Sequence, residues 1–191
     1  MNRALAALLL VAALSPSDAV VDHYVSEAND FWSGVQRHHL DTMRDEARPT
    51  HLAMTTATIA PELKRGLVYG EEVAPREAAL FNAMKRKKTP LFRAYAALRK
   101  GGRLSALHTR HELLFVPPKW ANSEPEKFYA KYPDAEGLLS LSAPVVIGDE
   151  AFVYARLMMV YSVSGELFYL RRQHGRWKIV WKLQLSSYPG C

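Results

Sequence analysis

The chain has 191 residues, is 49% apolar and 23% charged, and carries 25 Lys and Arg against 19 Asp and Glu, for a formal net charge of +6. That much apolar surface excludes a disordered or fibrous chain, and the length suits one domain. A single Cys excludes an intramolecular disulfide framework and a thiolate-rich zinc site.

Residues 1–19 have the pattern of a secretory signal peptide. Arg3 gives a positive start, Ala4 to Leu14 is an unbroken apolar run, and Ser17-Asp18-Ala19 sets small residues at the two positions a signal peptidase inspects. Eleven apolar residues are about half of the ~20 that a bilayer crossing requires. Cleavage is therefore expected after Ala19. It would release an exported chain, periplasmic or secreted, with no transmembrane segment after the signal. No Cys stands near the cleavage point, which argues against a lipid anchor there; Cys191 is terminal, placed as a solvated thiol or for an intermolecular disulfide.

The mature chain is expected to be one α+β domain, with a helical layer over 20–103 and an antiparallel sheet over 104–188. Apolar residues at Val21, Tyr24, Val25, Ala28, Phe31, Trp32, Val35 and Met43 predict an amphipathic helix from Val21 to Ala47, stopped by Pro49. A second helix is predicted from Thr50 to about Ala60, and a short third from Pro61 to Gly66. Ala74-Pro75 opens a helix to Lys87. Thr89-Pro90 opens the next, with Leu91, Ala94, Tyr95 and Leu98 on one face and Gly101-Gly102 as its end.

After Leu104 the period changes to two. Residues 111–116, 145–147 and 151–161 are strand-like, with breaks at Gly148-Asp149, Ser164-Gly165 and His174-Gly175 that suit hairpin turns. Trp177, Ile179, Trp181, Leu183 and Leu185 alternate with polar or smaller residues, so all five are expected on one face of the last strand. Pro117 to Asp134 is a long connection with a helical turn or two around Glu124 to Tyr132. Helices first and strands second predict helices packed on one face of an antiparallel meander.

The run Trp120…Phe128…Tyr132-Pro133…Gly137…Leu141-Ser142, then Ala151-Phe152-Val153-Tyr154 and Gly175-Arg176-Trp177-Lys178-Ile179-Val180, resembles a group of exported bacterial proteins of unknown function. The likeness covers about Leu113 to Tyr188. The closing strand is also similar to the last strand of nuclear transport factor 2-like (NTF2-like) α+β rolls. That resemblance implies a cone between curved sheet and helices, and its members include enzymes and binding modules. Trp177, Trp181, Tyr154 and Tyr169 would then be wall residues of a pocket for a small apolar ligand or for acid–base chemistry.

Charge is the most uneven feature. Between Ala78 and His111 there is no acid and there are nine cations: Lys85, Arg86, Lys87, Lys88, Arg93, Arg99, Lys100, Arg103 and Arg110. The other 16 basic residues face all 19 acidic ones elsewhere. The eight from Lys85 to Arg103 form a candidate surface for anions: an anionic envelope surface or an acidic protein. Nucleic acid is not expected, because no aromatic residues are interleaved as a stacking platform.

Candidate chemistry elsewhere is thin, and neither a metal nor a cofactor is expected. His38, Asp41 and Asp45 fall on one helical face at spacings common on wet surfaces. His111-Glu112-Leu113-Leu114-Phe115 begins like a zinc-protease motif, but Phe115 stands at the second His. On a strand, His108 and His111 point to opposite faces. There is no G-x-S-x-G elbow and no phosphate-cradling loop. The reading is a non-catalytic exported binding module with a basic contact surface. The pocket-bearing roll is the alternative. A partner-dependent subunit is a third reading, which the two apolar faces of strand Ala151 to Tyr161 would mark.

Overall fold

Ser15 starts the first element by capping it. Its N–H and its hydroxyl both donate to Asp18 Oδ2, at 2.6 and 2.9 Å, and the Asp18 N–H donates back to Ser15 Oγ at 3.2 Å. This reciprocal capping box, with Pro16 in the first helical position, fixes the start of α1, residues 16–26. The computed structural model describes residues 15–26, 51–60, 75–98, 112–159 and 162–189. Ser17-Asp18-Ala19 lies inside α1, and Ser17, Asp18, Val20 and Val21 are all fully buried. Cleavage after Ala19 would remove the cap and leave the new terminus at a buried position. The remainder of the helix expected to Ala47 lies outside the described residues.

The helix predicted from Thr50 is instead a strand, β1 (His51–Thr55). Its side chains are buried from Leu52 onward, so they show neither the two-residue nor the 3.6-residue period in sequence. Such a short, doubly covered run reads alike for helix and strand. The helix expected over 61–66 lies outside the described residues. The next two helices are found: α2 spans Pro75–Lys87, and α3 (Pro90–Ala97) starts at Pro90 as expected but ends at Ala97, with Leu98 already extended, before the expected stop at Gly101-Gly102. The Phe92 N–H donates to Thr89 Oγ1 at 3.3 Å, as a threonine cap requires.

The chain then forms β2 (Leu113–Val116), a 3₁₀ turn (Pro118–Asn122), α4 (Pro125–Lys131) and β3 (Ala135–Leu141). It closes with β4 (Val145–Ile147), β5 (Glu150–Met159), β6 (Ser162–Gln173) and β7 (Arg176–Pro189). The architecture is α+β, with one mixed sheet of seven strands in the order β2-β1-β3-β5-β6-β7 and β4 paired to β5. Strands β3 to β7 pair antiparallel. β1 corrects the all-antiparallel expectation, because it pairs parallel with both β2 and β3.

β5 shows how the layers stack. Ala151, Val153 and Ala155 join Val20, Val21 and Tyr24 of α1 in one core. Phe152 and Tyr154 join Ala78 and Phe81 of α2, and Leu91 and Tyr95 of α3, in a second. Successive strand residues point to opposite faces, so the described helices divide between the two faces of the sheet. This accounts for the apolar character of both faces of β5: both are covered. A third core gathers Val116, Phe128 and Ala135 with Met158. Trp120 lies edge-on to Phe128 and Tyr132 beside it, with ring centroids 5.9 and 5.6 Å away.

Two turns expected from sequence behave differently. His174-Gly175 is a hairpin turn, with both residues at positive φ (51° and 76°) and Gln173 paired to Arg176. Ser164-Gly165 is no turn; β6 runs straight through it, and the β5–β6 pairing continues to Met159 and Ser162.

The last strand is also bulged. Tyr169 pairs with Trp181 while Leu170 pairs with Ile179, so Val180 is an extra residue. The bulge reverses the facing of the residues from Trp181 to Leu185. A second irregularity, where Gly165 pairs with Ser186 but Glu166 pairs with Gln184, makes Leu185 an extra residue and keeps Ser186 on the α2–α3 face. Trp177 belongs to the α1 core, and Trp181, Leu183 and Leu185 belong to the α2–α3 core. The five residues expected on one face are therefore shared between two.

Candidate functional site

Among the described residues, a cleft and a groove mark the face carrying α2 and α3. The cleft is the larger, about 650 Å³, and lies between the end of β1, the 3₁₀ turn and the sheet. Tyr154 and Arg156 reach it from β5, Ser186 from β7, Thr58 from the segment after β1, and Asn122 from the 3₁₀ turn. Arg156, Gly165 and Ser186 stand abreast on three adjacent strands. With no side chain at Gly165, the Tyr154 phenol and the Ser186 hydroxyl come together over the sheet; a Cβ at that position would overlap both oxygens. Arg156 Nη1 donates to the Ala121 carbonyl, which ties the guanidinium to the 3₁₀ turn. Among the described residues no carboxylate forms an ion pair with Arg156, and no acid lines the cleft.

The second concavity is a groove of about 430 Å³ lined by Leu80, Met84, Ile147, Tyr169, Val180 and Trp181, among others. Leu80, Ile147 and Val180 are large apolar side chains left 42%, 43% and 48% exposed. Tyr169 stacks on Trp181 with ring centroids 5.2 Å apart, and its hydroxyl donates to Glu150 Oε1. Arg171 Nη2 closes that group at 3.2 Å from Glu150 Oε1 and 3.0 Å from the Tyr169 oxygen. Burial first, and then the hydrogen bond to the Glu150 carboxylate, hold the Tyr169 phenol above its ordinary pKa.

The cationic residues predicted to bind anions begin at this groove. Met84 lines it at the end of α2, and Lys85, Arg86, Lys87 and Lys88 follow directly, all exposed, with Arg93 exposed on α3. Lys88 turns the chain with a φ of 47° before Thr89 caps α3. None of these five has an ion-pair partner among the described residues. Arg99, Lys100 and Arg103 lie outside the described residues, as do His38, Asp41, Asp45, His108 and His111.

The four residues expected as pocket wall are dispersed. Tyr154 lines the cleft, and Tyr169 and Trp181 line the groove. Trp177 faces the other side of the sheet, where the Arg172 guanidinium sits 4.7 Å from its ring centroid.

The chain matches no known protein family, curated protein or solved structure.

On the α1 face lies a polar group that no sequence spacing announces. The Tyr24 hydroxyl donates to Glu166 Oε2 at 2.5 Å, Lys182 Nζ stands 3.7 Å from Glu166 Oε1, and Lys182 Nζ lies 3.4 Å from His23 Nε2. The partners are 142 and 159 residues apart, so only the packing of α1 on β6 and β7 assembles them. Glu166 is compensated from two sides, which suits a clamp holding α1 to the sheet. Arg156 in the cleft, which has no carboxylate partner among the described residues, is the cation better placed for a ligand.

Among the described residues no group of His, Cys, Asp and Glu is arranged to hold a metal ion. No described helix is long and apolar enough to cross a membrane.

Proposed function

We propose that this chain is an exported, non-catalytic binding module that docks on an anionic lipid surface through the corner between α2 and α3. The observation that carries the reading is the adjacency of two features. Lys85, Arg86, Lys87 and Lys88 are exposed without carboxylate partners among the described residues, and the neighbouring groove leaves Leu80, Ile147 and Val180 open to water. Cations near an anionic leaflet contribute about 1 kcal/mol each, and apolar side chains beside them insert at the headgroup boundary. An acidic protein would satisfy the charges; the apolar residues favour lipid. The amino-terminal Arg3 and the apolar run that follows support export.

Sedimentation of the full chain with phosphatidylcholine vesicles, with and without phosphatidylglycerol, tests this. Binding is expected only with the anionic lipid, and it should weaken steeply as salt rises past the point where the Debye length is about 10 Å. Replacing Lys85, Arg86, Lys87 and Lys88 together with Gln should abolish it. Unchanged binding in that variant would remove the reading.

A further inference from the structure

We propose that the cleft over Gly165 is a binding site for a small monocarboxylic acid, with Arg156 holding the carboxylate. A glycine inside a twelve-residue strand weakens the strand and marks close approach of another group. Here the space is taken by two hydroxyl-bearing side chains, Tyr154 and Ser186, at the floor of an open cleft. Three strands, the 3₁₀ turn and the segment after β1 converge there, and their other lining groups are mainly small and apolar: Ile59, Val163 and four residues that are Ala or Pro. The volume of about 650 Å³ lies within the range that small-molecule sites occupy.

The charge arithmetic selects the ligand class. Among the described residues Arg156 is the only ionised side chain lining the cleft, so a single negative charge balances it. One donor is committed to Ala121, and a guanidinium has five. Enough remain for a two-pronged contact, whose planar geometry matches a carboxylate. A doubly charged phosphate ester would leave one charge uncompensated in a site where burial strengthens electrostatics. The hydroxyls of Thr58, Tyr154 and Ser186 and the amide of Asn122 supply further polar contacts, and the apolar lining takes the body of the acid.

Calorimetric titration of the full chain with hexanoate, benzoate and phenylacetate, each paired with its neutral amide, tests the assignment. At least one acid should bind, and its amide should bind tenfold or more weakly. Arg156→Gln should lose that preference, and Arg156→Lys, which keeps the charge and loses the planar fork, should fall between. Circular dichroism confirms that the variants are folded, and a rise in wild-type melting temperature with the bound acid gives a reading independent of any variant. The variant with Gln at 85–88 should bind the acid as wild type does, which separates this site from the basic corner. No binding by any of the three acids, equal binding of acid and amide, tighter binding of inorganic phosphate, or loss of binding only in the 85–88 variant would each overturn the proposal.

Discussion

The Tyr154 phenol stands where a side chain at position 165 would be. The backbone of Tyr154 is itself anchored: its N–H donates to Ser142 Oγ at 2.9 Å, and its carbonyl accepts from the Ser142 N–H at 2.7 Å. Ser142 is fully buried and follows β3 directly. The turn out of β3 therefore fixes Tyr154 in depth, and Gly165 makes its orientation sterically feasible. Ser142 thus acts through Tyr154, holding the strand from which the phenol reaches the floor of the cleft.

Gly165→Ala is accordingly expected to destabilise the fold by about 1–3 kcal/mol, the usual cost of adding a methyl group to a filled site. The displaced atom can be identified with a second substitution. Tyr154→Phe removes the hydroxyl that meets the new Cβ, so it should recover part of the loss when combined with Gly165→Ala. Urea denaturation of the two single variants and the double variant reads the coupling. Additive losses would mean that Gly165 is kept for some reason other than the phenol.

The bulge at Val180 makes a second prediction. Deleting Val180 removes this bulge and shifts register by one residue, which reverses the facing of every residue on one side of the deletion. Either Trp177 and Ile179 leave the α1 core, or Trp181, Leu183 and Leu185 leave the α2–α3 core. A folded chain is not expected, and far-ultraviolet circular dichroism together with the denaturation transition will report its absence. Val180→Thr, by contrast, changes a side chain that is 48% exposed and should move stability by no more than about 0.5 kcal/mol.

Those two sites also mark where the sequence stops being legible. The helices at Pro75 and Pro90 are readable because proline, a capping threonine and helical spacing all act within a few residues. The alternation from Trp177 to Leu185 is readable as a strand, but a bulge preserves the alternation on either side of itself and so hides in the pattern. Ser164-Gly165 carries the composition of a turn, while its reason for being glycine is a tyrosine eleven residues earlier on the neighbouring strand. β1 is short and buried on both sides, so nothing local separates it from a helix. The charge asymmetry at Lys85 to Lys88 is visible directly. Arg156, by contrast, sits in a strand with no neighbouring cation and acquires its setting only when β1, the 3₁₀ turn and β7 meet around it.

Glu136 gives a prediction in pH. It is the second residue of β3, and partial burial pushes its carboxyl above the ordinary pKa, with His51 on the neighbouring strand pulling in the opposite direction. A carboxyl whose folded pKa is raised holds its proton more tightly in the folded chain than in the unfolded one. Its contribution to stability is therefore most favourable below the unfolded value of about 4.3, and it is lost as pH rises through the raised folded value. At neutral pH the charged form is a net cost. Glu136→Gln should raise the melting temperature at pH 7, and the gap between variant and wild type should close as pH falls below about 4. Comparing the two chains at each pH cancels the titration of the remaining carboxylates. A variant that is less stable at pH 7, or a gap that widens toward acid, would show that the attraction to His51 outweighs the burial of Glu136.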